Sequence, residues 1–427
     1  MSAPIIKDLQ YYKFCLYGFL KNLRFFEPFL YLFLLEKGLT YFQIGTLITV
    51  RELMRNLMEI PSGVLADVFG RRRTLILSFL SYILSFIAFY LFSSYFAFVL
   101  AMIIYAFGDS FRTGTHKAMI FEYLNINNWA DHKVNYYGHT RSWSQIGSAL
   151  SSLAAAFLVF YSGNYQVIFL YSIVPYVLDL MLIASYPKSL EGSGINWKDV
   201  SIGTTFRALF KEFKHSFLSI KFVKTISNIA SFSGYVRAVK DYLQPLIFML
   251  VLSLPVSFSV SNERLSSLVI GGAYFVIYLL TSFASRNAGR ISGKFGDLSL
   301  ALNKTLVFGL FVGVISGLLY SFGSVTWSVL SVLFFISLFI IENIRRPVGV
   351  SYLADLFDER ILATTLSVES QVKGIFAAIL APLMGFLADK IGIGQAMLII
   401  SVAVLVIFPF LRITNFDIQK ENTNLEK

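Results

Sequence analysis

The 427-residue chain is 56% hydrophobic and only 14% charged, with a formal charge of +11 and a mean hydropathy of +0.67. Those values exclude an ordinary soluble domain, and the lack of strand-type alternation argues against an outer-membrane barrel. The apolar residues come instead in blocks of about 20, the length a helix needs to cross a hydrocarbon layer. Taken in chain order, the blocks predict twelve spans: 14–35, 42–66, 74–93, 97–123, 134–161, 166–186, 223–252, 263–288, 302–322, 325–353, 361–387 and 393–412. Six precede a polar break at 187–222, which includes the basic amphipathic stretch "FRALFKEFKHSF" and reads as a linker along the membrane surface. The expected organisation is therefore 1–186, linker 187–222, 223–412 and a tail 413–427. The first span has no signal-type cleavage site and is expected to be retained. Cys15 is the sole cysteine, which excludes an internal disulfide.

Lysines and arginines concentrate in alternate breaks: Arg71, Arg72 and Arg73 after span 2, six basic residues in the linker, and Arg286, Arg290 and Lys294 after span 8. By the positive-inside bias, both termini and the linker face the cytoplasm of a cytoplasmic membrane. The net charge is then a consequence of topology, and no nucleic-acid partner is expected.

Charges inside spans mark functional candidates, because an ionised group at mid-bilayer costs several kcal/mol. Span 1 carries Arg24 and Glu27. Span 2 carries Arg51 beside a stripe of Glu52, Arg55 and Glu59, at i, i+3 and i+7. Span 4 places Asp109, Arg112 and His116 on one expected helical face, an arrangement able to relay protons. Span 5 adds His139 and Arg141. In the second half, span 7 holds Arg237, Lys240 and Asp241 ahead of Pro245, and span 10 holds Glu342, Arg345 and Arg346 ahead of Pro347; both prolines are expected helix breaks. Glu369 and Lys373 in span 11 read as a structural i,i+4 pair. At mid-depth, nine cations (Arg24, Arg51, Arg55, Arg112, Arg141, Arg237, Lys240, Arg345, Arg346) face five anions (Glu27, Glu52, Asp109, Asp241, Glu342). That excess favours an anionic or zwitterionic solute over a lipophilic cation.

The stretch "GVLADVFGRRRT" supplies the most specific motif: Gly63, Asp67 four residues on, Gly70 three later, then Arg71, Arg72 and Arg73. It resembles the loop between helices 2 and 3 of the major facilitator superfamily. A degenerate copy, "GRISGKFG", puts Gly289 and Gly296 226 residues after Gly63 and Gly70, with Gly293 in the aspartate's place. The segment from "RILATTLSVESQVKG" to Gly385, Asp389 and Gly392 is similar to helix 11 and its following loop in drug/proton-antiporter-like members. The glycine-proline signature that many such antiporters carry in helix 5 is missing from span 5.

The resemblance implies an all-α membrane protein of two six-helix bundles around a cavity that opens alternately to either side. It implies a gate at Gly63, Asp67, Gly70, Arg71 and Arg72, latched by charge contacts, with Gly63 and Gly70 permitting close helix approach and a sharp turn. It points to Arg112 for proton transfer, in a coupling group with Asp109, His116 and Glu27. The substrate group is Arg24, Arg51, Glu52, Arg55, Arg141, Arg237, Lys240, Asp241, Glu342 and Arg345. The expected function is secondary active transport, of efflux type, of a small organic solute by a monomer in a lipid bilayer, driven by protons or another coupling ion. No enzymatic nucleophile arrangement, phosphate-cradling loop, metal site or cofactor is expected. Two alternatives stand beside it: a metal-ion or metal-chelate carrier using His116, Glu122, His139 and Asp109, and a non-transporting sensor or scaffold on a transporter fold.

Overall fold

The computed structural model describes residues 7–129, 133–191, 220–254, 261–357 and 359–413; the side chain of Asp67, the surface stretch in the linker and most of the tail lie outside the described residues. The first half runs α1 (Leu9–Leu20), α2 (Leu30–Glu36), α3 (Tyr41–Phe69), α4 (Arg71–Leu91), α5 (Tyr95–Arg112), α6 (Thr115–Ile126), α7 (Lys133–Ser162) and α8 (Val167–Ala184), then a 3₁₀ turn, Lys188–Glu191. The second runs α9 (Ile220–Val239), a 3₁₀ turn (Lys240–Tyr242), α10 (Leu243–Leu252), α11 (Asn262–Arg286), α12 (Ala288–Gly293), α13 (Leu298–Ser321), α14 (Val325–Leu356), α15 (Glu359–Ile391) and α16 (Ile393–Leu411).

Among the described residues, nine segments are long and apolar enough to cross a membrane. The other three expected spans each have a local reason for missing that standard. Span 1 is split into α1 and α2, because Asn22 Nδ2 donates to the Gly18 carbonyl at 2.6 Å and Pro28 lies ahead. Span 2 forms α3 as one 29-residue helix, but carries the charges of "RELMRNLME". Span 7 is split by the turn Lys240–Tyr242, and Pro245 then falls in the first turn of α10, where its missing N–H is not needed. With the split pairs counted once, every expected span has its helix or helix pair.

Two expectations about breaks need correction. Pro347 does not break span 10: α14 is continuous over 32 residues with the proline inside it. Arg345, two residues earlier, is bonded to α9 and α13 and holds that part of the helix in place. Conversely, span 4 is broken where the sequence predicts continuous helix. α5 ends at Arg112, Gly114 adopts φ +85°, and α6 starts at Thr115.

The helices gather into two compact units. The first holds α1 to α8, α10 from Ile247 and α11 as far as Tyr278; the second holds α9, the start of α10, the rest of α11, and α12 to α16. In the first, α4 packs on α5 and α8, α3 on α5, and α1 on α7. α11 approaches α7 closely, since a Cβ on Gly271 would stand 2.6 Å from the Ser152 carbonyl oxygen. In the second, α13 packs on α14 and α16, and α9 on α15. The approach of α9 to α15 depends on Gly234, whose added Cβ would stand 2.9 Å from the Lys373 carbonyl oxygen.

Gly234→Val is therefore expected to force these helices apart at a cost of about 1–3 kcal/mol, read as a lower Tm of the purified protein in detergent. Gly63→Ala should keep or slightly raise Tm, because among the described residues nothing lies within 4 Å of a Cβ placed there and alanine favours the helix by about 0.5–1 kcal/mol.

Candidate functional site

The residues of α3 and α5 build one connected charge network in the first unit. Glu52 is 1% exposed and sits between two arginines of its own helix, with Arg51 Nη2 at 3.2 Å and Arg55 Nη2 at 2.8 Å from its carboxylate oxygens. Arg55 Nη1 lies 3.9 Å from Asp109 Oδ2, which carries the network across to α5. Asp109 Oδ1 accepts from Arg112 Nη2 at 2.7 Å and from the Tyr82 hydroxyl at 2.9 Å, and Arg112 Nε donates back to that hydroxyl at 3.0 Å. Ser110 Oγ, donating to the Arg55 carbonyl at 3.2 Å, fixes the register of the two helices. The i, i+3 spacing of Glu52 with Arg55 and of Asp109 with Arg112 makes each intrahelical pair; helix packing supplies the link between them. Among the described residues, three guanidinium groups and two carboxylates make up this network.

The expected single stripe of Asp109, Arg112 and His116 is not present, because the Gly114 turn ends the helix between Arg112 and His116. His116 instead stacks on Tyr17 with ring centres 3.5 Å apart, and its Nε2 meets the Tyr186 hydroxyl at 3.2 Å. Arg24 and Glu27 form a looser pair, 3.9 Å apart, in the non-helical segment between α1 and α2.

The motif arginines follow from a one-residue turn. Gly70, at φ +92°, is at once the C-cap of α3 and the N-cap of α4, so Arg71, Arg72 and Arg73 open α4 at the end where the helix dipole disfavours cations. Two carboxylates offset this. Arg71 lies 3.5 Å from Glu122 of α6, while Arg72 and Arg73 lie 3.7 and 3.9 Å from Glu191. Arg72 also donates to the Tyr186 carbonyl at 3.1 Å, tying α4 to the end of α8. Gly296 and Gly392 repeat the positive φ, at +82° and +89°, ahead of α13 and α16, as the sequence copies place them. Gly63 needs a correction: it faces open space among the described residues, so no close helix approach depends on it.

In the second unit Arg345, 3% exposed, acts as a joint. It donates to the Leu302 carbonyl, to Thr305 Oγ1 at 2.7 Å and to the carbonyl and Oδ1 of Asn228 at 3.1 and 3.3 Å, with its guanidinium 5.2 Å from the Phe232 ring centre. Asn228 and Asn303 extend the joint to the end of α16, by bonds of 3.0 Å from Asn228 Nδ2 to the Leu411 carbonyl and 2.7 Å from Asn303 Nδ2 to that of Ile413. Beside it lies a cavity of about 230 Å³ lined by Ser233, Arg345, Arg346, Glu369, Ser370 and Lys373. Lys373 pairs with Glu369 at 3.2 Å. Glu342, one turn before Arg345, and Arg237 are half-buried; Lys240 lies 3.7 Å from the buried Asp241, and Arg141 is exposed on α7.

Asp179 is a buried carboxyl residue that the reading of the spans passes over. It sits on the buried face of α8 with Ser172, Tyr176 and Ile183, and is 0% exposed. Its signal in the sequence is that of a lone carboxylate in the middle of "VPYVLDLMLIA".

Membrane-length helices, partnered charges within them, and glycine turns repeated between the halves define a polytopic membrane transporter. The chain belongs to the Major Facilitator Superfamily, whose family model matches residues 14–368. It is 25% identical over 393 residues to an uncharacterized MFS-type transporter, YxaM, of Bacillus subtilis (strain 168), covering 89% of each chain. Among solved structures it is similar to the nucleoside transporter NupG (TM-score 0.68, 15% identity, 96% of this chain and 98% of that one). It is also similar to a bacterial homolog of the human lysosomal transporter Spinster in an inward-facing and occupied conformation (TM-score 0.68, 14% identity, 95% and 97%). A peptide transporter POT variant in complex with sulfate matches equally well (TM-score 0.68, 15% identity, 96% and 97%). At these identities the structural likenesses show the fold.

Removing the Glu52 carboxylate as Glu52→Gln leaves Arg51 and Arg55 facing each other in the bundle. The expected loss is about 3–5 kcal/mol, the penalty for breaking a buried pair from one side, measured as a fall in Tm. Arg73→Ala, at an exposed side chain, should cost less than about 1 kcal/mol.

Proposed function

We propose that this secondary transporter moves a small organic anion or zwitterion by alternating access and is coupled to protons. The observation that supports this best is the α3–α5 network, in which Arg51, Arg55 and Arg112 outnumber Glu52 and Asp109 while all five remain linked. A surplus guanidinium held in place by its neighbours is preorganised for a carboxylate or phosphate of a solute. The cavity beside Arg345, to which Arg346 and Lys373 bring two cations and Glu369 one carboxylate, is a second candidate place, with Arg345 kept in the proposed substrate group for its position at the cavity wall. Arg24, Glu27, Arg141, Arg237, Lys240, Asp241 and Glu342 complete the proposed substrate group.

Arg112 is the proposed coupling residue, because it holds both Asp109 and Tyr82 and so responds to any change in either. His116 and Glu27 take the supporting role in coupling. The proposed gate is Gly70, Arg71 and Arg72 with Gly63 and Asp67; its support is the set of bonds from Arg71 and Arg72 to Glu122, Glu191 and the end of α8. Efflux from a monomer in the cytoplasmic membrane with both termini inside is the proposed mode, and import is its alternative, since span 5 lacks the helix-5 glycine-proline signature of the antiporters.

The metal-carrier alternative gains no support from geometry. Three of its four residues turn to different partners: Asp109 to arginines, Glu122 to Arg71, His116 to Tyr17 and Tyr186.

Thermal unfolding in detergent with small carboxylates, sulfonates, amino acids, quaternary ammonium compounds and divalent metal salts tests the substrate class. Anions or zwitterions should raise Tm, by the equivalent of about 2.7 kcal/mol at a hundred times Kd, and Arg51→Ala or Arg55→Ala should remove the effect. Stabilisation by cations or metals alone would overturn the reading. In proteoliposomes, Arg112→Ala should transport the stabilising anion without responding to a pH gradient; pH-driven transport by that variant would remove Arg112 from coupling.

A further inference from the structure

In a helix bundle surrounded by lipid, an ionised carboxylate is held only where cations or hydrogen-bond donors replace its water. Glu52 and Asp109 meet that condition, each with two cationic neighbours at ion-pair distance. Asp179 does not. Its side chain has no solvent exposure, and neither carboxylate oxygen has a hydrogen-bond partner among the described residues. On the adjoining helix end the converse holds. Lys21, which caps α1, directs its ammonium to the Tyr17 ring, 6.0 Å from the ring centre, and has no carboxylate within 4 Å among the described residues. The two positions are tied together, because the Tyr176 hydroxyl, one turn before Asp179, donates to the Lys21 carbonyl at 3.2 Å.

We propose that Asp179 is a proton-binding site, occupied by its proton in the conformation described, and that Lys21 is the cation that receives the carboxylate when the proton leaves. Protonation removes the charge that burial penalises and leaves Lys21 free to lie over Tyr17. Deprotonation releases one proton to water and creates a carboxylate that the Lys21 ammonium draws across the α1–α8 contact. Reprotonation from water reverses the step. The proton thus exchanges one packing of these helices for another, which is what a two-state transporter requires.

Several other titratable and charged groups surround this point: Arg24, 3.9 Å from Glu27 in the segment between α1 and α2, faces Tyr176 and Lys21, while α5 brings Tyr105 toward Tyr176 and Asp109 toward Lys21. Tyr17 comes from α1 beside Lys21; α4 brings Tyr82 against Tyr176, and α5 brings Arg112, whose field also reaches Asp179. His116 of α6 and Tyr186 lie on the other side, with Tyr136 of α7 beyond Tyr186. Arg112 is already committed to Asp109 and Tyr82, and Arg24 to Glu27, so Lys21 is the neighbouring cation with no carboxylate at ion-pair distance among the described residues.

The proposal uses the proton-coupled reading above only for what the proton accomplishes, and it is tested without a substrate. Infrared difference spectra of the full-length protein in detergent, recorded across a pH titration, report the carbonyl stretch of a protonated carboxylic acid. The wild-type protein should show that band at neutral pH; Asp179→Asn should abolish it, Asp179→Glu should shift it, and Asp109→Asn should leave it. Lys21→Met removes the cation that favours the ionised form, so the band should persist to a pH higher by about one unit or more, a tenfold change in proton affinity. No such band in wild type, or one that survives Asp179→Asn, would overturn the site. An unchanged titration in Lys21→Met would overturn the role of Lys21. The expected spectra together with anion transport that ignores pH would support the site and remove proton coupling from the function.

Discussion

Glu52, clasped by Arg51 and Arg55, is the interaction on which the charge arrangement of the first unit depends. Three charges on two turns of α3 would oppose insertion if each stood alone; as a group they neutralise most of their own charge and leave one arginine for the neighbouring helix. Through Arg55 the surplus passes to Asp109, and through Asp109 to Arg112 and Tyr82. Each cation in this series is positioned by the anion before it, so the excess positive charge has a fixed location instead of being spread along flexible side chains. That is the property a binding site for an anion needs.

The two units use buried polarity in different ways. In the α3–α5 network of the first, charges are paired with charges, and the side chains of Arg51, Arg55, Arg112 and Asp109 remain partly accessible. In the second, Arg345 is consumed by carbonyls, Thr305 and Asn228, and works with Asn228 and Asn303 to fasten α9, α13 and α14 to one another and to the end of α16. An arginine saturated by backbone acceptors has little left for a solute. The cationic character of the adjoining cavity therefore rests more on Arg346 and Lys373 than on Arg345.

Helix breaks fall where they bring chemistry to the interior. The α1–α2 break places Arg24 and Glu27 in an irregular segment, and the Gly114 turn separates Arg112 from His116 so that each meets different partners. Such interruptions survive in a membrane only where surrounding protein satisfies the freed backbone groups. Here Asn22 serves that purpose for α1, its Nδ2 donating to the Gly18 carbonyl and its backbone N–H to that of Phe19.

Much of this is legible in the sequence. Span number follows from block length and hydropathy, which a bilayer imposes on any chain that crosses it. The turns at Gly70, Gly296 and Gly392 follow from the repeated motif, because a one- or two-residue reversal at positive φ selects glycine. The intrahelical pairs of Glu52 with Arg55 and Asp109 with Arg112 follow from their spacing. Other features are decided by tertiary packing. Pro347 has the look of a break yet lies in a continuous helix, because Arg345 bonds it to neighbouring helices, and span 4, read from the sequence as one helix, breaks after Arg112 at Gly114. That Arg345 is a joint and that Asp179 is left without a bonding partner among the described residues are facts about atoms on other helices. Sequence by itself determined which residues are charged, which apolar blocks carry them and which lie a turn apart. Only the tertiary structure decided which charges meet, because partners on different helices are set by packing and not by their distance along the chain.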